Sequence, residues 1–269
     1  MDTEKITPDA LIFDIDGVLI NVEKSFPEVI RLSVLRGWEK FCGGESDAPG
    51  YTPAHERILK RHGAFNDDYD IVWLLFSISA ATGEKKLSRA FPSPEKLQSE
   101  ISRFSGDLGA WVQERYGALV SRSAVRADCS ALYTGEMYKL ESPMLRCHWK
   151  KLPLPTAIYT GRDAIEWELA KKTLGWEDFP SELIIHSDSG IRKPSPKGLE
   201  ILCGRLGVKN PLFFGDTASD MQALATFENG YFVAIGDLLP EAKYIYKNPE
   251  LALGDLLNFK IGGDINGRK

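Results

Sequence analysis

The chain has 269 residues, 43% of them hydrophobic and 26% charged, with a formal net charge of −5. That length supports one large domain or two modest ones. The acidic balance argues against a general nucleic-acid binder, but leaves room for a small anionic substrate at a local positive site. Cys42, Cys129, Cys147 and Cys203 form no CxxC pair and read as free thiols of a reducing cytosol. The polar stretch Met1–Pro8 carries no apolar signal core. The longest apolar run, Ile71 to Ala81, is broken by serines and too short to span a bilayer. A soluble, cytoplasmic protein without a membrane partner is the expectation.

The first element is the apolar run Ala10-Leu11-Ile12-Phe13, closed by Asp14-Ile15-Asp16-Gly17. An apolar run bounded by turn residues reads as a buried strand. Both carboxylates then lie at its C-terminal end, where an open α/β sheet binds ligands. Alternation along an extended chain sets them on the same side. Two close carboxylates repel unless a cation lies between them or one holds a proton. The pair therefore points to a metal, an acid–base partner, or both.

From Val22 to about His148 the character is helical. Phe26 to Phe41 places Val29, Ile30, Val34, Leu35 and Trp38 near helical spacing. Asn66 or Asp67 caps a further helix through Ile71, Leu74, Leu75 and Ile78. Pro94 to Tyr116 reads as more helix, broken at Gly106 or Gly109. Gly43–Pro53 and Gly83–Ser93 are rich in turn residues and read as loops.

Beyond Leu152 short apolar strands alternate with helices. The strands are Ala157–Tyr159, Leu183–Ile185, Leu212–Phe214 and Tyr231–Ala234; the helices are Asp163–Leu174, Pro196–Leu206 and Ala218–Phe227. Such alternation implies a parallel sheet with helices on both faces. The expected fold class is α/β: a Rossmann-like three-layer α/β/α core, residues 1–21 and 149–269, with an α-helical cap inserted over 22–148.

Four polar clusters fall at or just beyond strand ends: Asp14/Asp16/Gly17, Thr160-Gly161-Arg162, Arg192-Lys193-Pro194 and Gly215-Asp216-Thr217-Ala218-Ser219-Asp220. Parallel strands deliver such ends to a single edge. Taken singly, each has a plain reading. The acids suit turns and helix caps, and Lys193 suits an exposed loop. Their order and placement together favour chemistry.

This arrangement resembles the haloacid dehalogenase superfamily of hydrolases, in its phosphoglycolate phosphatase-like subfamily. The DxDG, Thr, Lys and GDxxxD motifs of that superfamily match Asp14/Asp16/Gly17, Thr160, Lys193 and Gly215/Asp216/Asp220. The resemblance covers Leu11–Leu19 and Ile158 to about Gly236; the helical insertion matches in position and class alone. It implies Asp14 as nucleophile, Asp16 as acid and base, and Thr160 and Lys193 as further catalytic residues. Thr160, Gly161, Arg162 and Lys193 would contact the phosphate. It implies Mg2+ as cofactor, with Asp14, Asp16, Asp216 and Asp220 as its set. The dehalogenases of the superfamily lack an acid at the position of Asp16. The implied activity is therefore hydrolysis of a small phosphorylated metabolite through an aspartyl-phosphate, by a monomer or homodimer. A phosphomutase with the same nucleophile is the alternative, and a dehalogenase or a silent binding protein finds little support.

Some residues keep two readings. Arg162 either touches phosphate or makes surface contacts near a helix start, while His186 reads as structural. In the insertion, Arg61 and Asn66 are the candidates for reading the substrate. Asp67 and Asp68 suit helix initiation at a positive dipole end. Lys85, Lys86 and Arg89 read as a solvated face and the tryptophans as core anchors.

Overall fold

The computed structural model describes residues 6–48, 50–65, 67–104 and 106–261. In chain order its main elements begin with β1 (Ala10–Phe13), β2 (Ile20–Asn21), α1 (Phe26–Cys42), α2 (Pro53–Lys60), α3 (Asp68–Ala80), α4 (Leu87–Ala90), α5 (Pro94–Ile101), α6 (Leu108–Tyr116) and α7 (Arg122–Gly135). There follow β3 (Ser142–Pro143), β4 (Thr156–Tyr159), α8 (Ala164–Leu174), β5 (Ile184–Ile185), α9 (Lys197–Leu206), β6 (Pro211–Gly215), α10 (Ala218–Phe227), β7 (Tyr231–Ile235), β8 (Tyr244–Tyr246) and α11 (Pro249–Leu257). The chain divides into two compact units, Met1–Asn21 with Ser142–Lys269, and Val22–Glu141.

The first unit carries a six-stranded parallel sheet in the order β5-β4-β1-β6-β7-β8. Every residue of β1 is fully buried, as expected for an all-apolar strand flanked on both sides. Phe13 stacks on Phe214 of neighbouring β6 at 4.5 Å between centroids. Helix α9 packs on β4 and β5, α10 on β6 and β7, and α11 on β8. The sheet is the Rossmann-like α/β type expected. After β1 the chain runs outward through β4 and β5, then returns to β6 and runs outward through β7 and β8. The order therefore reverses beside β1, and crevices at such switch points are where open α/β sheets bind ligands.

Ser142–His148, expected at the end of the helical insertion, groups instead with the sheet-bearing unit. The cause is backbone pairing: Asn21 faces Ser142 and Ile20 faces Pro143 in a short antiparallel ladder, and the Met144 N–H donates to the Leu19 carbonyl. The Trp176 indole N–H also donates to the Cys147 carbonyl.

The second unit is helical. Helix α3 is buried from Tyr69 to Ser79, because α1 and α7 both pack against it. Its entry is fixed by Asp67, whose carboxylate accepts the N–H groups of Tyr69 and Asp70. The same carboxylate pairs with Arg126 at 2.7 Å. The Pro94–Tyr116 stretch is broken between Ile101 and Leu108, and α4 lies within the expected loop Gly83–Ser93. Trp38, Trp73, Trp111, Trp167 and Trp176 are all buried, whereas Trp149 is half-exposed. No described helix is long and apolar enough to cross a membrane.

Candidate active site

Three of the four clusters converge on one buried ammonium. Lys193 Nζ lies 2.8 Å from Asp14 Oδ2 and 2.6 Å from Asp220 Oδ1. Asp14 follows β1, Lys193 lies in the loop after β5, and Asp220 is in the first turn of α10, directly after β6. The Lys193 loop is steadied by Tyr159 at the end of β4. The Tyr159 hydroxyl donates to the Ser195 carbonyl, and its ring lies 5.8 Å from Lys193 Nζ.

Burial pushes the Asp14 carboxyl up to about 7, against the pull of Lys193 and with help from Asp220 and Asp16. Burial also works against the Lys193 ammonium, but Asp14 and Asp220 outweigh it and hold its pKa above the ordinary lysine value. The pair thus favours the protonated lysine and resists a full charge on Asp14.

Asp220 has a second task, which the spacing Thr217-x-x-Asp220 encodes. Its Oδ2 accepts the Thr217 N–H at 3.1 Å and the Thr217 hydroxyl at 2.6 Å, closing a capping box at the start of α10. The helix start therefore fixes the direction of a site carboxylate. Thr217 was not among the expected site residues, although a capping-box pattern is legible in sequence.

Carboxylate oxygens of Asp14, Asp216 and Asp220 lie within 4.8 Å of one another. Asp14 Oδ1 is buried and has no hydrogen-bond partner among the described residues, an expensive state unless something else satisfies it. Three hard oxygen donors and an orphaned buried oxygen fit a divalent cation. The glycines beside them are spatial requirements. Gly17 has φ +68°, and a Cβ there would fall 2.2 Å from Asp216 Oδ2. A Cβ on Gly215 would fall 2.3 Å from Asp220 Cβ.

Asp16 is not in that acidic group. The strand ends at Phe13, and the chain then turns back on itself, with the Val18, Leu19 and Ile20 N–H groups all donating to the Ile15 carbonyl. Extended alternation therefore stops before Asp16, and the two carboxylates meet different cations. Asp16 Oδ1 accepts from Arg162 Nη2 at 2.6 Å and Nε at 2.9 Å. Arg162 is 1% exposed, so it makes no surface contact. Its Nη1 donates to the Glu166 carbonyl at 3.3 Å. The buried Thr160 hydroxyl accepts the Arg162 N–H at 3.2 Å, with Gly161 between them at the end of β4. Arg61 closes α2 in the helical unit, and Asn66 lies outside the described residues.

Sequence comparison gives these residues a context, since the model of haloacid dehalogenase-like hydrolases matches residues 8–227. The chain belongs to that hydrolase family. No curated protein matches it in sequence. Phosphatase Tt82 from Thermococcus thioreducens is similar in fold, with a TM-score of 0.63 at 23% identity over 93% of this chain and 100% of that one. A candidate phosphoglycolate phosphatase from Lactobacillus plantarum gives 0.57 at 18% identity, again over 93% and 100%. A candidate β-phosphoglucomutase from Thermotoga maritima gives 0.51 at 18% identity, over 93% and 99%.

Proposed function

We propose that this hydrolase is a Mg2+-dependent phosphatase acting on a small phosphorylated metabolite. The observation that carries the reading is Asp14: a buried carboxylate with one oxygen on Lys193, the other unpartnered, and Asp216 and Asp220 alongside. Asp14 would attack phosphorus as the leaving oxygen departs, forming an aspartyl-phosphate that water then cleaves. Lys193 orients Asp14 and offsets negative charge as it gathers on the phosphoryl oxygens. The backbone after β4 and the Thr160 hydroxyl offer donors at the same sheet edge. Asp16 would give its proton to the leaving oxygen and take one from the attacking water. Asp14, Asp216 and Asp220 would hold Mg2+, which when bound supplies the positive charge that draws a phosphate towards Asp14. The helical unit would select the remainder of the substrate, with Arg61 as a selecting side chain.

The test is a screen of phosphorylated metabolites for release of inorganic phosphate, with Mg2+ and with EDTA, comparing wild type with Asp14→Asn. Release that needs Mg2+ and disappears in the folded variant supports the reading; unchanged turnover in Asp14→Asn removes Asp14 from the mechanism. Fold likeness to the candidate mutase favours a second reading, phosphoryl transfer to another hydroxyl of a sugar phosphate. Isomerised sugar phosphate without free phosphate would establish it instead.

A further inference from the structure

Arg162 is the largest charged side chain in the interior of the sheet-bearing unit, and the mechanism above gives it nothing to do. Its guanidinium spends two N–H groups on a single oxygen, Asp16 Oδ1, at 2.6 Å and 2.9 Å. No hydrogen bond from a described residue falls on Asp16 Oδ2. The arginine side chain is fully buried, while that of Asp16 is 26% exposed. Its anchorage is rigid. The Arg162 N–H is held by the Thr160 hydroxyl, the Arg162 carbonyl accepts the Ser187 N–H, and Nη1 reaches the Glu166 carbonyl. A guanidinium fork fixed in this way sets the angle of a carboxylate as well as its distance.

We infer that Arg162 is the positioning residue for proton transfer by Asp16, rather than a phosphate ligand. By holding Oδ1, it leaves Oδ2 as the one oxygen that both gives and takes the proton. This rests on the phosphatase reading. In the first step the Asp14–phosphorus bond forms, the phosphorus–oxygen ester bond breaks, and the proton on Asp16 Oδ2 passes to the departing alkoxide. In the second step Asp16 Oδ2 takes a proton from water as water attacks phosphorus and frees Asp14. A 4-nitrophenolate leaves as the anion and needs no proton, so an aryl ester bypasses the first transfer and keeps the second.

The experiment compares Arg162→Met, which keeps the volume, with Arg162→Lys and wild type, on glycerol phosphate and 4-nitrophenyl phosphate. Proton transfer from a placed acid is worth roughly 10²–10⁴-fold. We expect Arg162→Met to lose about 10²-fold in kcat/KM on the alkyl ester and no more than about threefold on the aryl ester. Its kcat should fall on both, with the aryl KM falling in step and phosphoenzyme accumulating, because water activation is common to the two. Arg162→Lys should recover part of the loss, and adding Arg162→Met to Asp16→Asn should cost little further. An active wild type whose Arg162→Met loses both esters equally, or shows a raised KM at constant kcat, overturns the inference alone. A wild type that releases phosphate from no ester tested overturns the phosphatase reading and the inference with it. If Arg162→Met fails to fold, Arg162→Lys carries the same comparison, and equal losses on the two esters again refute the assignment.

Discussion

Replacing Lys193 with methionine isolates the electrostatic problem at the centre of the site. Methionine keeps the apolar stem and removes the ammonium, leaving Asp14 and Asp220 without the cation that sits 2.8 Å and 2.6 Å from them. The lysine and Asp220 side chains are fully buried and that of Asp14 is 6% exposed, so water offers little replacement. Removing one partner from a buried pair costs about 3–5 kcal/mol, a large share of the roughly 5–15 kcal/mol that holds a native domain together. The deficit should depend on pH in a defined direction. The Asp14 carboxyl already titrates at about 7, against an ordinary 3.8. Its contribution to stability is complete below the unfolded value and is lost as pH rises through the folded one. Without Lys193 the folded value moves higher still. At pH 5 Asp14 is protonated in both proteins and the variant loses mainly the Lys193–Asp220 pair; at pH 8 it also carries the raised cost of ionising Asp14. Urea unfolding in EDTA, followed by tryptophan fluorescence at the two pH values, measures this. A deficit at pH 8 below about 1 kcal/mol, the scale of an exposed pair, would refute the reasoning. So would a deficit larger at pH 5 than at pH 8.

Gly17→Ala should destabilise the protein by about 1–2 kcal/mol, because a non-glycine residue is forced into the left-handed region. Its methyl also displaces Asp216, so calorimetric Mg2+ affinity should fall about 10–100-fold; wild-type affinity would exclude Asp216 as a ligand. Asp67→Ala removes the cap of α3 and the Arg126 pair. It should cost about 1–2 kcal/mol in chemical denaturation, and a neutral result would show that α3 is held by packing alone.

Much of the sheet was legible because buried parallel strands announce themselves as unbroken apolar runs, as in Ala10–Phe13 and Leu212–Phe214. Strand β8 escaped because three residues, one of them exposed, carry too little pattern. Helix α11 was missed beyond the reach of the family motifs, although Asn248 caps it and Pro249 occupies its first position. At the site, the meeting of Asp14, Lys193 and Asp220 followed from strand order. The separation of Asp16 from Asp14 did not, because it depends on a turn that begins one residue after the strand. The partner of Arg162 was equally hidden: the residues lie 146 positions apart, and no local pattern links them.

The position of β1 has a consequence in time. It pairs with β4 on one side and β6 on the other, both made much later. At about 5–20 residues per second on the ribosome, Asp14 waits roughly 10–40 s for β6 and the acids that follow it, about 200 residues downstream. Until β4 is made, about 140 residues downstream of Asp14, the apolar strand has neither of its sheet partners, and until β6 follows it has at most one. The helical unit, Val22–Glu141, falls in sequence between β1 and β4 and is synthesised within the wait. A strand made first is thus flanked on both sides only once β6 has been made, and a nascent chain halted before residue 211 holds Asp14 and Lys193 without Asp216 and Asp220.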